Sequence, residues 1–174
     1  TSIFQSMHII ILSVTFKFLS KPVNINYASI QDYLDTNNID KSSLTPKDLS
    51  SIVKKIRTSK LPNPSVIPNV GSFFKNPVVQ KSSINTDCFS YDDLIIWSID
   101  QNHVKVGAAR LLELIDDLIP KHSQVELYKD HSLVLINKGN ASQEDIINFS
   151  QYLQNKVFKT FNIQLNVEPL IIKS

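Results

Sequence analysis

The sequence predicts an α+β protein, with helices and short strands in separate runs rather than strict alternation. Three observations carry this. Apolar residues recur at helical spacing after capping residues at Thr45 and Ser142. Two short runs, Val125–Tyr128 and Ser132–Ile136, read as strands around Lys129, Asp130 and His131. Pro62, Pro64 and Pro68 break the chain between its helical and strand-like parts and mark a domain boundary between Leu61 and Asn69.

The elements follow in order. Ile9–Phe18 reads as a first strand. Its apolar run to Leu12 predicts burial on both faces, and Thr15 and Lys17 then alternate with Val14, Phe16 and Phe18. Pro22–Asn26 is extended, and a short helix covers Ile30–Leu34 before a polar loop to Ser43. Thr45 then caps a helix with Pro46 at the first position and Asp48 in the first turn. Leu49, Ile52, Val53 and Ile56 form its apolar face, and Lys54, Lys55 and Arg57 suit the negative end of its dipole. Val78–Asp93 has no readable period. Leu94–Ile99 predicts a short buried segment, and Gly107–Ile119 a helix rich in Leu and Ile. After a turn at Asn137–Asn140, Ser142 caps a long helix with Asp145 at the third position. Ile163–Val167 predicts a closing strand carrying Glu168.

The chain has 174 residues, 42% hydrophobic and 20% charged, enough to bury a core without staples. A formal net charge of +2 implies no preference for nucleic acid or a membrane surface. Cys88 is the only cysteine, which excludes an internal disulfide or a cysteine zinc site and fits a reducing cytoplasm. His8, His103, His122 and His131 show no ligand spacing, so no metal is expected. The longest apolar run is too short for a bilayer span, and no signal peptide is legible. The start at Thr1 rather than Met suggests a fragment or a trimmed chain.

The stretch NVGSFFKNP, Asn69–Pro77, concentrates chemistry. Gly71 lets backbone approach a ligand closely, and Ser72 follows it. Lys75 and Asn76 suit a phosphate or a sugar hydroxyl. The plain alternative is a turn whose Phe73 and Phe74 fill the core. No GxSxG supports a nucleophilic serine, and no complete phosphate loop is present. Arg57 and Lys60 read either as a solvated helix end or as an anion clamp. His131 reads as a turn or surface residue, and Trp97 and Tyr128 as packing residues. Glu168 is either a general acid or an exposed strand end.

At RTSKLPNPSVIPNVGSFFKNPVV, Arg57–Val79, the chain resembles the UDP-N-acetylenolpyruvoylglucosamine reductases, flavoenzymes that make UDP-N-acetylmuramate for peptidoglycan. VKVGAARLLELID and HSLVLINKGNASQEDI resemble two further family segments, as do the opening SIFQ and LTPKDLSSIVKKIRTSKLPNP. The resemblance runs over essentially the whole chain and corresponds to the family's C-terminal half. It implies that residues 1–66 end the FAD-binding domain, that 67–160 form a smaller α+β UDP-sugar domain, and that 161–174 return with the catalytic glutamate. It implies a cytoplasmic protein, monomeric when full length, that uses NADPH and FAD to reduce UDP-N-acetylglucosamine enolpyruvate. The flavin-binding half and the family's Tyr-Arg pair would lie outside this chain.

Site roles implied by the resemblance are residue by residue. Ser72 matches the family's proton donor, and Glu168 the carboxylate that stabilises the intermediate. Lys60 and Asn76 match residues holding sugar and diphosphate, and Lys105 and His131 match positions facing the nucleotide. Tyr27 matches the tyrosine of a substrate-covering loop, and Gly71 lies beside the cofactor. Departures are also legible. Arg110-Leu111 stands where the family has a Gly-Trp pair, Trp97 replaces a tyrosine, and Asn166-Val167-Glu168 replaces Glu-Pro-Glu. A different class of function, a nucleotide-sugar binding module without catalysis, shares the same binding residues.

Overall fold

The computed structural model describes residues 11–17, 25–120 and 124–172. Helix and sheet are mixed, as the sequence predicts. The chain forms two compact units, Thr1–Val53 and Lys54–Ser174, and the division falls inside a helix.

In the first unit, residues 11–17 form neither strand nor helix, and Ile11, Leu12, Val14 and Phe16 are 60 to 92% exposed. The predicted first strand is therefore not present where the structure describes it. A strand is completed by a partner, and no described residue pairs with this segment. The rest of that strand lies outside the described residues. Helix α1 (Ala28–Thr36) is longer at both ends than predicted and buries Ile30 and Leu34. Its first turn forms as the Ile30 and Gln31 N–H groups donate to the Tyr27 carbonyl. Asp40 then receives the Ser42 N–H and hydroxyl, which holds its carboxyl below the usual range.

Helix α2 (Pro46–Lys60) starts where the capping residues predict. Asp48 Oδ2 accepts from the Thr45 N–H at 3.1 Å and from its hydroxyl at 2.6 Å, while Thr45 Oγ1 accepts the Asp48 N–H. This reciprocal pair satisfies N–H groups that the first turn would leave without partners.

The second unit holds two antiparallel three-stranded sheets. Strand β1 (Asn69–Ser72) pairs with β6 (His131–Asn137), which pairs with β5 (Val125–Tyr128). Strand β2 (Val78–Gln80) pairs with β4 (His103–Val106), which pairs with β3 (Ile96–Ser98). The hairpin β5–β6 is where the two short apolar runs place it. Asn137 Oδ1 accepts the Gly139 and Ala141 N–H groups, closing the turn that leads to α4 (Gln143–Phe161). The Ser142–Asp145 box caps α4, and Asn162 ends it in left-handed conformation at φ 56.

Phe73, Phe74, Val106, Leu111, Leu112, Ile115, Leu153, Phe161, Ile163 and Leu165 share one apolar core. Helix α3 (Ala108–Leu114) stops short of the predicted Ile119, and Asp116–Leu118 continue as a tighter single turn. Asp116 and Asp117 fall at the negative end of the helix dipole, which disfavours further α-helical turns. Tyr152 fastens this turn to α4 by donating to the Leu118 carbonyl at 2.6 Å.

Two strand expectations are corrected. Of Leu94–Ile99 only Leu94 is buried, while Ile95, Trp97 and Ile99 are about half exposed. Strand β3 is an edge, and one face of its sheet is open. The predicted closing strand Ile163–Val167 reduces to one bridge, Phe74 to Val167.

Candidate functional site

The NVGSFFKNP segment is shaped by a bulge. Asn69 lies opposite Ile136 and Ser72 opposite Val134, so β1 carries one more residue than β6 between these pairs. Gly71 absorbs it at φ 75, a left-handed conformation that costs side-chain-bearing residues energy. A β-carbon built on Gly71 would meet nothing within 4 Å, so the space over the backbone is open. Asn69 braces the bulge at both ends of its carboxamide. Its Nδ2 donates to the Ile67 carbonyl at 2.8 Å, and its Oδ1 accepts the Gly71 N–H at 3.0 Å.

Beyond the bulge the chain divides its roles. Phe73 and Phe74 enter the core, 3% and 1% exposed, and meet edge to face at 5.2 Å. Ser72, one residue earlier, is exposed. Its hydroxyl has no hydrogen-bond partner among the described residues. The core-filling reading of Phe73 and Phe74 is the observed one. The rings anchor it, and the serine stands out from the anchor.

Glu168 arrives beside this serine through the backbone. Its N–H donates to the Phe73 carbonyl at 2.8 Å, and the Lys75 N–H donates to the Asn166 carbonyl at 2.9 Å. Glu168 is exposed, one residue beyond the single bridge at Val167. No described residue pairs with its carboxylate.

Asn76 Oδ1 accepts the Ala108 N–H at 2.9 Å, across 32 positions in sequence, and joins the segment to the start of α3. The Val106 N–H donates to the Pro77 carbonyl, and Val78 pairs with Lys105. Lys105 thus lies within one strand pairing of Asn76. Trp97 pairs with Lys105 from the other side, and Val78, Lys105 and Trp97 are all exposed. His131 begins β6, two positions before Leu133, whose carbonyl accepts the Phe73 N–H. Its Nδ1 is buried with no partner among the described residues.

Gly71, Ser72, Asn76, Glu168, Lys105 and His131 are therefore brought onto connected backbone. Lys60 is exposed at the last position of α2, with no ion-pair partner among the described residues. Tyr27 is exposed at the N-cap of α1 and belongs to the first unit.

Sequence reasoning missed the bracing role of Asn69, although an Asn two residues before a Gly is a turn signal. It also missed the Asp100–His103 pair, 3.0 Å apart at the β3–β4 turn. The Asn102 and His103 N–H groups hold the Asp100 carboxyl below its usual range. Arg110 is tied into the fold, with Nε donating to the Asp93 carbonyl at 2.9 Å. A cavity of about 440 Å³ lies elsewhere, lined by Asp116, Ile119, Glu126, Tyr128, Ser132 and Phe149 among others, and holds none of the predicted side chains. Burial and then the Asp130 carboxylate push the Tyr128 hydroxyl above its usual range there. Among the described residues no cluster of His, Cys, Asp or Glu could hold a metal ion. No helix among them is long and apolar enough to cross a membrane.

The family model described as UDP-N-acetylenolpyruvoylglucosamine reductase, C-terminal domain, matches residues 62–172. The UDP-N-acetylenolpyruvoylglucosamine reductase of Flavobacterium johnsoniae is 36% identical over 165 residues, covering 94% of this chain and 48% of that protein. That of Pseudomonas savastanoi pv. phaseolicola is 34% identical over 162 residues, covering 92% and 47%. That of Neisseria meningitidis serogroup A is 40% identical over 128 residues, covering 72% and 36%. The chain spans about half the length of the first two of these curated relatives.

Proposed function

The chain belongs to the UDP-N-acetylenolpyruvoylglucosamine reductase family, and from that premise we propose that it is the substrate-binding and proton-delivering portion of such an enzyme. The reaction is reduction of UDP-N-acetylglucosamine enolpyruvate to UDP-N-acetylmuramate. Residues before 67 end the FAD-binding domain, 67–160 bind the UDP-sugar, and 161–174 return with Glu168.

The observation that carries the reading is the arrangement of the bulged segment. Ser72 is exposed and uncommitted among the described residues, and Glu168 is backbone-bonded to the adjoining Phe73. No side chain stands over Gly71, which leaves the backbone there open to a cofactor. When bound there, FAD supplies the hydride that adds to C3 of the enolpyruvyl group, and NADPH replaces it.

This chain's own residues do the rest. Ser72 Oγ gives its proton to C2 of the resulting enol-type intermediate, and solvent returns a proton to the serine. A serine is a weak acid, so the step depends on a strongly basic carbon and on placement. The bulge supplies the placement, because Phe73 and Phe74 fix the backbone on which Ser72 stands. Glu168 polarises the carboxyl group of the intermediate from beside it. Lys60 and Asn76 hold sugar and diphosphate, and Lys105 and His131 face the nucleotide.

The test is Ser72→Ala in the full-length enzyme. Turnover falls by about 10² to 10⁴-fold, the usual share of general acid catalysis. Substrate affinity is retained, and rapid-mixing absorbance shows flavin reoxidation outpacing product release. Unchanged turnover removes Ser72 from the mechanism.

A further inference from the structure

The extended residues 163–168 are held along two edges. On one edge the Asn166 carbonyl accepts the Lys75 N–H, and the Glu168 N–H donates to the Phe73 carbonyl. In extended chain, alternate residues turn their backbone groups to opposite sides. The Leu165 carbonyl therefore faces away from residues 73–75, where no strand pairs among the described residues. Leu165 is 0% exposed, so protein rather than water has to satisfy this carbonyl. Gln154 of α4 does so, with Nε2 donating at 2.8 Å across 11 positions of sequence. Gln164 Nε2 reaches the same carbonyl at 3.3 Å, but from the adjacent residue, so it ties the segment to no other element.

Helix α4 is a firm base for the bond. Its start is capped by Ser142 and Asp145, and Leu153, Val157 and Phe161 are 0% exposed. Glu168 follows Leu165 closely in the chain, and Pro169 after it confines Glu168 to extended conformations. The backbone between Leu165 and Glu168 thus has few ways to absorb a shift, and the Glu168 carboxylate has no side-chain partner of its own among the described residues.

We infer that Gln154 is a positioning residue for Glu168. It fixes the far edge of the segment to α4, and with it the place from which the carboxylate meets the intermediate. This rests on the reading of Glu168 as the stabilising carboxylate.

The test is a double-mutant cycle in the full-length enzyme, with Gln154→Met and Glu168→Ala. Methionine keeps the length and helix propensity of glutamine and removes the donor. Gln154→Met lowers kcat about tenfold or more, since a misplacement of about 1 Å is enough for that. KM for the enolpyruvyl substrate is unchanged, and the Glu168 amide exchanges its hydrogen faster. In the Glu168→Ala background the same change costs nothing further, because the group it places is already gone. A full further loss in that background overturns the inference, since Gln154 then acts elsewhere. Unchanged kcat in Gln154→Met, beside a loss in Glu168→Ala, overturns the positioning role and leaves the site reading standing. Unchanged kcat in Glu168→Ala overturns the reading of Glu168, and the positioning role with it. Gln164→Met retains wild-type turnover. A loss there equal to that of Gln154→Met overturns the tie to α4, because satisfying the carbonyl from any side is then what counts. Thermal melting checks that each variant folds. Where Gln154→Met does not, Gln154→Asn, a methylene shorter, serves in the same cycle with the same outcomes.

Discussion

Replacing Gly71 by Ala isolates backbone strain from packing. Gly71 sits at φ 75, and a β-carbon placed on it meets nothing within 4 Å. No contact is lost and none is made, so the whole cost is the left-handed conformation. That cost is about 1–2 kcal/mol for an L-residue with a side chain. At this chain length it lowers Tm by about 2 to 8 °C. Gly107→Ala is the matched opposite. Gly107 has an ordinary φ of −70, but its β-carbon would lie 3.2 Å from Ile95 Cβ, so any cost there is crowding. Urea unfolding followed by far-UV circular dichroism gives both values. Trp97, the single tryptophan, reports the β2–β4–β3 sheet in the same experiment. A Gly71→Ala variant as stable as wild type, or more stable, refutes the reasoning. Alanine at a relaxed position gains stability by restricting the unfolded chain. A loss well above 2 kcal/mol also refutes it, because strain alone does not reach that value. Either result dismisses the bulge as the device that places Ser72.

Phe74→Ala removes a ring that is 1% exposed and beside the bridge to Val167. It costs about 3–5 kcal/mol by chemical denaturation, and faster exchange of the Lys75 and Glu168 amides accompanies it. Stability also falls in acid through the helix caps. The carboxyls of Asp48 and Asp145 are held below their usual range, first by the Thr45 and Ser142 side chains and then by the backbone N–H groups of the same residues. Their folded pKa is the lower one, so their stabilisation is complete above the unfolded value near about 4 and is lost as pH falls through the folded value. Tm measured from pH 6 down to pH 2.5 drops, and Asp145→Asn flattens part of that drop. An unchanged slope in Asp145→Asn counts against the cap as its source.

What the sequence alone determined is local. Thr45 with Asp48, and Ser142 with Asp145, fix helix starts because each pair lies within one turn of chain. The β5–β6 hairpin and the turn after it follow from two short apolar runs and from Asn137 and Gly139 for the same reason. The segment GSFFKNP stood out in the sequence because its unusual residues are contiguous. Tertiary structure decided how those residues are used. Nothing local says that Asn76 receives the N–H of Ala108, 32 positions away, or that Glu168 meets Phe73. Both bonds depend on which strands meet once the core has closed around Phe73 and Phe74. The apolar run from Ile9 shows the limit from the other side. Its pattern specifies a surface able to be buried, but burial needs a partner, and a sequence pattern does not contain its partner.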